Sequence, residues 1–152
     1  MHATLPVPVS CRIDRHVGAL LGTAVGDAVG LPAEGLAPEK IRRRWQGAWR
    51  HRLVFGRGMV SDDTEHTLMV ALCLLEHPED PVAFQRALAR RLRWWLLSLP
   101  AGTGFATARA ILKLWLGVPP HRSGVASAGN GPLMRSAIIG VHFARDADRR
   151  QA

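Results

Sequence analysis

An all-α fold is what this sequence predicts, on three observations. Apolar residues recur at helical spacing in several segments, and Pro, Gly and Asp punctuate those segments at helix-boundary positions. No stretch alternates apolar and polar residues over a length that would make a convincing strand. With 152 residues and 47% hydrophobic content the chain can bury the core of one domain. We expect that domain over residues 13–152, behind a short disordered lead at 1–12 that has neither the basic nor the apolar region of a signal peptide. Cys11 and Cys73 are far apart in sequence, so neither a disulfide framework nor a thiolate metal spacing is present. A reduced, cytoplasmic setting is the expectation.

The first helix is expected to be capped by Asp14 and to run to Gly30. Gly18, Gly22, Gly26 and Gly30 fall four apart on one face, which lowers helix propensity but lets another backbone approach closely. The segment is too short to span a bilayer and carries Asp27, so it reads as a buried helix and not as a transmembrane dimer motif; no membrane is expected as a partner. Residues 31–35, Leu-Pro-Ala-Glu-Gly, break the helix and leave Glu34 on a loop.

Pro38 opens a basic helix expected over 39–49. The chain's net charge is +8, and its densest run of cations lies here: Lys40, Arg42, Arg43, Arg44, Arg50, Arg52 and Arg57, interleaved with Trp45 and Trp49. Phosphate contacts combined with stacking are one reading of such a run. The favoured one is a solvated arginine-rich helix whose tryptophans, four apart, pack inward, because no zinc finger, RNA-recognition signature or repeated basic helix accompanies it. Nucleic acid is therefore not an expected partner.

Gly58 leads into Met-Val-Ser-Asp-Asp-Thr-Glu-His-Thr, residues 59–67, and then into a strongly apolar helix expected over 62–76 with Ser61 as N-cap. Leu68, Ala71, Leu72 and Leu75 recur at i, i+3, i+4 and i+7, which predicts that this face is buried. First-turn side chains lean toward the N-terminus, so Ser61, Asp62 and Asp63 converge just beyond the helix end. A hydroxyl and two carboxylates are hard oxygen donors, suited to Mg²⁺, Mn²⁺ or Ca²⁺ rather than to zinc. The same residues are what ordinary capping and the helix dipole favour, and spacing alone prefers that explanation.

Asp80 and Pro81 read as the cap and first residue of the next helix, expected to reach about residue 99 with Trp94, Trp95, Leu96 and Leu97 in the core. A glycine loop containing Gly102 and Gly104 precedes a helix expected over 106–116, which Gly117, Pro119 and Pro120 terminate. A second loop of small residues contains Ser127, Gly129, Asn130 and Gly131, and Pro132 opens a last helix through Arg135, Ile138 and Ile139. Backbone N–H groups at such a helix start can hold an anion, although a linker into a helix is an equal reading.

Three stretches taken together resemble the ADP-ribosylglycohydrolase family. They are Gly-Ala-Leu-Leu-Gly-Thr-Ala-Val-Gly-Asp-Ala-Val-Gly-Leu-Pro-Ala-Glu at 18–34, Ser-Asp-Asp-Thr-Glu at 61–65, and Ser-Ala-Gly-Asn-Gly-Pro-Leu-Met-Arg at 127–135, in matching order and spacing. The resemblance implies an all-α fold with a two-magnesium site, Mn²⁺ being an alternative, that hydrolyses the bond between ADP-ribose and a protein side chain or small acceptor. It assigns Ser61, Asp62 and Asp63 as metal ligands and Glu34 as the catalytic loop carboxylate near the scissile ribose. It assigns Gly102, Gly104, Ser127, Gly129, Asn130 and Gly131 to the ribose and diphosphate, and it leaves Asp27 as a buried hydrogen-bonding residue.

Such chemistry suits the residue types, because cleavage at an anomeric carbon passes through an oxocarbenium-like state and needs an activated water and balanced charge. Family members are longer than this chain and draw further metal ligands from a closing Asp-x-Asp-Thr motif, which is absent here. The expectation is therefore an N-terminal half of the fold: a fragment, a truncated reading frame, or a piece completed by a C-terminal half on another chain. The alternative function is a non-catalytic helical module that binds ADP-ribose-like or nucleic-acid phosphates.

Overall fold

The computed structural model describes residues 9 to 144 apart from 54 and 101, with side chains from residue 13 onward. The chain runs α1 (Val9–Gly30), a 3-10 turn (Leu31–Ala33), α2 (Pro38–Arg44), α3 (Asp62–Glu76), α4 (Pro81–Leu97), α5 (Phe105–Trp115), and three short helices α6 (Pro120–Ser123), α7 (Gly131–Met134) and α8 (Ser136–His142). Among the described residues there is no strand, only an isolated antiparallel bridge between Leu53 and Arg57. The all-α expectation holds.

Helix α3 is central, packing against α1, α4 and α8. Its boundaries follow the sequence signals: Ser61 caps it and accepts a hydrogen bond from the Asp63 N–H. Asp80 does the same for α4, its Oδ1 accepting from the N–H groups of Val82 at 3.0 Å and Ala83 at 2.9 Å. One core cluster joins Val70, Leu74 and Ile138, with Leu20, Phe84, Leu88 and Phe143 against it. A second joins Leu92, Trp95 and Ile111, with Met69, Leu88 and Leu96 around it. Leu88 connects the two.

Several expectations need correction. Helix α1 starts at Val9, ahead of Asp14, and it is not a buried helix: Ala28 is its one buried residue among those described, while Ile13, Val17, Leu21 and Val25 are exposed. A Cβ added at Gly18, Gly22, Gly26 or Gly30 would meet nothing within 4 Å, so among the described residues no backbone packs on the glycine face. The buried face of α3 is also the opposite one. Leu68, Leu72 and Leu75 are exposed, and His66, Thr67, Val70, Cys73 and Leu74 are buried. Residues 68–75 are apolar without interruption, so periodicity could not choose between faces.

The basic helix stops at Arg44, short of both tryptophans, and the backbone then turns through Gly47 at φ +97°. On α4, Trp95 is buried and Leu96 half-buried, but Trp94 and Leu97 are exposed. The expected last helix is two, broken at Arg135. Residues 1–8, within the expected lead, and 145–152, with the last arginines, lie outside the described residues.

Candidate active site

The site is built at the N-terminus of α3, and Asp27 of α1 organises it. One carboxylate oxygen of Asp27 accepts from the Ser61 N–H at 2.7 Å, the Thr64 N–H at 3.2 Å and the Thr64 hydroxyl at 2.6 Å; the other accepts from the Ser61 hydroxyl at 2.8 Å. A side chain from another helix thus satisfies the N–H groups that α3 leaves free at its start. The geometry agrees with the hydrogen-bonding reading of Asp27. Ser61 Oγ both donates to Asp27 and accepts from Asp63, so it retains one lone pair for any other partner.

Asp62 is buried, with 7% of its surface exposed. Burial pushes its carboxyl up to about 6, and the negative charges of Asp63, Glu34 and Asp27 push in the same direction. The Asp63 carboxyl is also raised, by burial first and then by Asp27. Glu34 sits exposed on the loop after the 3-10 turn and lines one cleft with Asp27 and Asp63; Gly26, Gly30, Leu31 and Ala33 form its other walls, around about 310 Å³. Of the expected site residues Asp63 and Glu34 line this cleft, and the Glu34 charge reaches Asp62, but Ser61, Asp62 and the 127–131 loop are not among its walls.

The two glycine loops approach the same end of α3. Gly102 has φ +83°, and a Cβ there would lie 2.7 Å from Asp62 Oδ1, so only glycine fits. A Cβ on Gly104 would lie 3.8 Å from Thr107 Oγ1 and one on Gly131 3.4 Å from it, so these glycines gather around one threonine of α5. Ser127, Gly129 and Asn130 are exposed, and the Gly129 N–H donates to Ser127 Oγ at 3.0 Å, which folds the loop on itself.

Three residues that sequence reasoning left unassigned tie this loop to α3. Arg135 Nε donates to the Gly131 carbonyl at 2.8 Å; burial lowers the guanidinium pKa and the nearby Asp62 charge raises it. Thr67 donates to the Asp63 carbonyl at 2.7 Å and lies 3.3 Å from that of Met134. His66 is fully buried, with its ring edge-on to Trp95 at 4.2 Å between centroids, and neither ring nitrogen has a hydrogen-bond partner. Burial, reinforced by the Arg135 charge, pushes its pKa down to about 3 and keeps the imidazole neutral. Trp95 in turn donates its indole N–H to Glu65 Oε2 at 2.6 Å. Arg135 ends one quoted motif and His66 and Thr67 follow another, so their positions were visible while their burial was not.

Among the described residues no three Asp, Glu, His or Cys side chains converge closely enough to cage a metal ion by themselves. Asp62, Asp63 and the Ser61 hydroxyl offer hard oxygens at the start of one helix, and the negative charge that adds to burial in raising both carboxyls is of the sign a divalent cation would balance.

An all-helical scaffold with a carboxylate-lined cleft at one helix start and glycine loops beside it defines the class of protein. Within that class the chain belongs to the ADP-ribosylglycohydrolase family, which it matches over residues 9–152. It is 38% identical to an uncharacterized protein of Archaeoglobus fulgidus over 147 residues, covering 91% of this chain and 47% of that protein. It is 32% identical over 132 residues to a Rhodospirillum rubrum protein named ADP-ribosyl-[dinitrogen reductase] glycohydrolase, covering 80% of this chain and 42% of that one. The chain thus spans about half the length of these relatives. Among the described residues no helix is long and apolar enough to cross a membrane.

Proposed function

We propose that this chain carries one part of the active site of a magnesium-dependent hydrolase that releases ADP-ribose from a modified protein side chain or a small ADP-ribosyl compound. The observation that carries the reading is the shared cleft of Glu34 and Asp63, with Asp62 held up to about 6 beside them. Family membership supplies the substrate class. Asp62, Asp63 and the remaining lone pair of Ser61 would hold Mg²⁺ or Mn²⁺, which when bound orients ribose hydroxyls and polarises a water. A complementing C-terminal half with an Asp-x-Asp-Thr motif would supply the other ligands of a two-metal site.

The chain's own residues do the rest. Glu34, on an exposed loop that lines the cleft, takes a proton from the attacking water as the bond from the anomeric carbon to the acceptor breaks, and that proton passes to the departing acceptor, which leaves with the bonding pair. Gly102, Gly104 and the Ser127, Gly129, Asn130 and Gly131 loop offer backbone groups to the ribose and diphosphate, with no side chains to obstruct a close approach. Arg135 positions that loop through the Gly131 carbonyl and places a compensating charge near Asp62.

The test is release of ADP-ribose from a modified protein, by this chain alone and mixed with or fused to a C-terminal half bearing Asp-x-Asp-Thr. The expected result is no turnover alone, Mg²⁺-dependent turnover when complemented, and its loss in Glu34→Gln or Asp62→Asn. Complemented turnover that both variants retain would end the proposal.

A further inference from the structure

The segment between the cleft loop and the Ser61 cap is the most highly charged part of the chain. Residues 38–58 hold the cations Lys40, Arg42, Arg43, Arg44, Arg50, Arg52 and Arg57 against one acid, Glu39. Among the described residues its one ion pair is Arg42 with Glu39 at 2.9 Å, on the surface. The remaining positive charge is uncompensated within the segment.

The aromatics of this segment do not pack as an inward-facing pair. Trp45 is buried, and its ring is covered by Trp49 stacked at 5.3 Å and 25°, with the Arg44 and Arg52 guanidiniums at 5.4 and 5.3 Å. Trp49 is held flat by this stack and remains 50% exposed. Phe55 occupies the turn between the bridged Leu53 and Arg57; it is wholly exposed and has φ +57°. A bulky aromatic in the left-handed region is strained, and exposure gives it no burial to offset that cost.

We infer that residues 38–58 form a surface that binds single-stranded nucleic acid, with Trp49 and Phe55 as stacking platforms and the surrounding arginines and Lys40 on the phosphates. Rigid exposed aromatic faces interleaved with guanidiniums are what a sequence-tolerant single-strand binder needs. An acidic protein would use the charge but has no bases to stack, so the aromatics favour the nucleic acid. The end of the segment rests on α1: a Cβ on Gly58 would collide with the His51 ring and lie 3.0 Å from Ala28. This inference does not depend on the hydrolase reading, since strand binding is measured with no ADP-ribose present.

The experiment is fluorescence anisotropy of a labelled single-stranded oligonucleotide titrated with the 152-residue chain across a salt series. We expect affinity to fall with salt at a slope of about −0.7 per phosphate contacted. Arg43→Ala and Arg50→Ala should each reduce the magnitude of that slope by about 0.7. Trp49→Ala should weaken binding about tenfold, while Trp49→Phe, which keeps a stacking face, should recover most of it. Arg86→Ala with Arg90→Ala, which removes two exposed cations from α4, should leave binding nearly unchanged. No binding at low salt overturns the inference, as does equal weakening by the α4 control. Polyglutamate bound as tightly as the oligonucleotide, with Trp49→Ala without effect, overturns it in favour of an acidic protein partner.

Discussion

Asp62 and His66 lie on the same helix, and burial shifts their proton equilibria in ways that oppose each other in stability. The Asp62 carboxyl binds its proton more tightly folded, at about 6 against 3.8, so the folded chain holds the extra proton between those values and loses stability as pH rises through them. His66 binds its proton less tightly folded, at about 3 against 6.5, so the unfolded chain holds the extra proton and stability is lost as pH falls below about 6.5. Between about pH 4 and 6 the two slopes offset each other. Asp62→Asn removes one of them, and thermal melts of this variant should show stability declining as pH drops from 6.5 toward 4. At pH 7 the same variant should melt roughly 2–4 °C higher, which corresponds to about 1 kcal/mol in a chain of this size. A melting profile indistinguishable from the parent across this range would contradict the burial and crowding assigned to Asp62. None of this was legible in the sequence, where spacing alone favours reading Ser-Asp-Asp-Thr as a plain cap; the shift comes first from burial, which depends on what packs around the helix start, and then from Asp63, with Glu34 and Asp27 adding to it.

At the scale of the element, the start of α3 depends on a carboxylate from α1. Asp27→Ala would leave the Ser61 and Thr64 N–H groups without their acceptor in a partly buried site. An expected cost of about 2–4 kcal/mol follows from losing hydrogen bonds to a charged group, and amide exchange in the first turn of α3 should rise while that of α5 stays unchanged. Helix α1 offers the reverse experiment. Glycine in a helix interior costs about 1 kcal/mol relative to alanine, and nothing lies within 4 Å of a Cβ at Gly22. Gly22→Ala should therefore stabilise this chain by up to that amount in denaturant melts. Helix ends were well read from sequence because caps are local: Ser61, Asp80 and Pro81 each mark a boundary that the structure keeps. Helix faces were not, because which side of residues 68–75 is buried depends on where α1, α4 and α8 pack. The end of α2 was missed for a related reason, since Arg44 and Trp45 carry no breaker and the turn comes at Gly47.

At the scale of the whole molecule, the chain leaves much apolar surface uncovered. Leu68, Leu72 and Leu75 of α3 and Trp94 and Leu97 of α4 are exposed, whereas Ile138 is buried where α8 packs on α1 and α3. Ile13, Val17, Leu20, Ala71, Leu74 and Leu75 line an apolar hollow of about 410 Å³ between these helices. Apolar patches beyond a few hundred Å² promote association, so light scattering on the purified chain should find oligomers, with a higher monomer fraction once a C-terminal half is supplied. A clean monomer at high concentration would contradict this reading of the surface.

The proposed divalent-cation site of Ser61, Asp62 and Asp63 is one that this chain completes only in part. Calorimetric titration with Mg²⁺, run at pH 6 and pH 8 in buffers of different protonation enthalpy, tests it most directly. With few protein donors and the remaining positions of a roughly six-coordinate ion left to water, binding should be weak and should vanish in Asp62→Asn. Because Asp62 titrates at about 6, binding should release protons at pH 6 and almost none at pH 8. Tight binding at both pH values without proton release, or binding that survives Asp62→Asn, would contradict the claim.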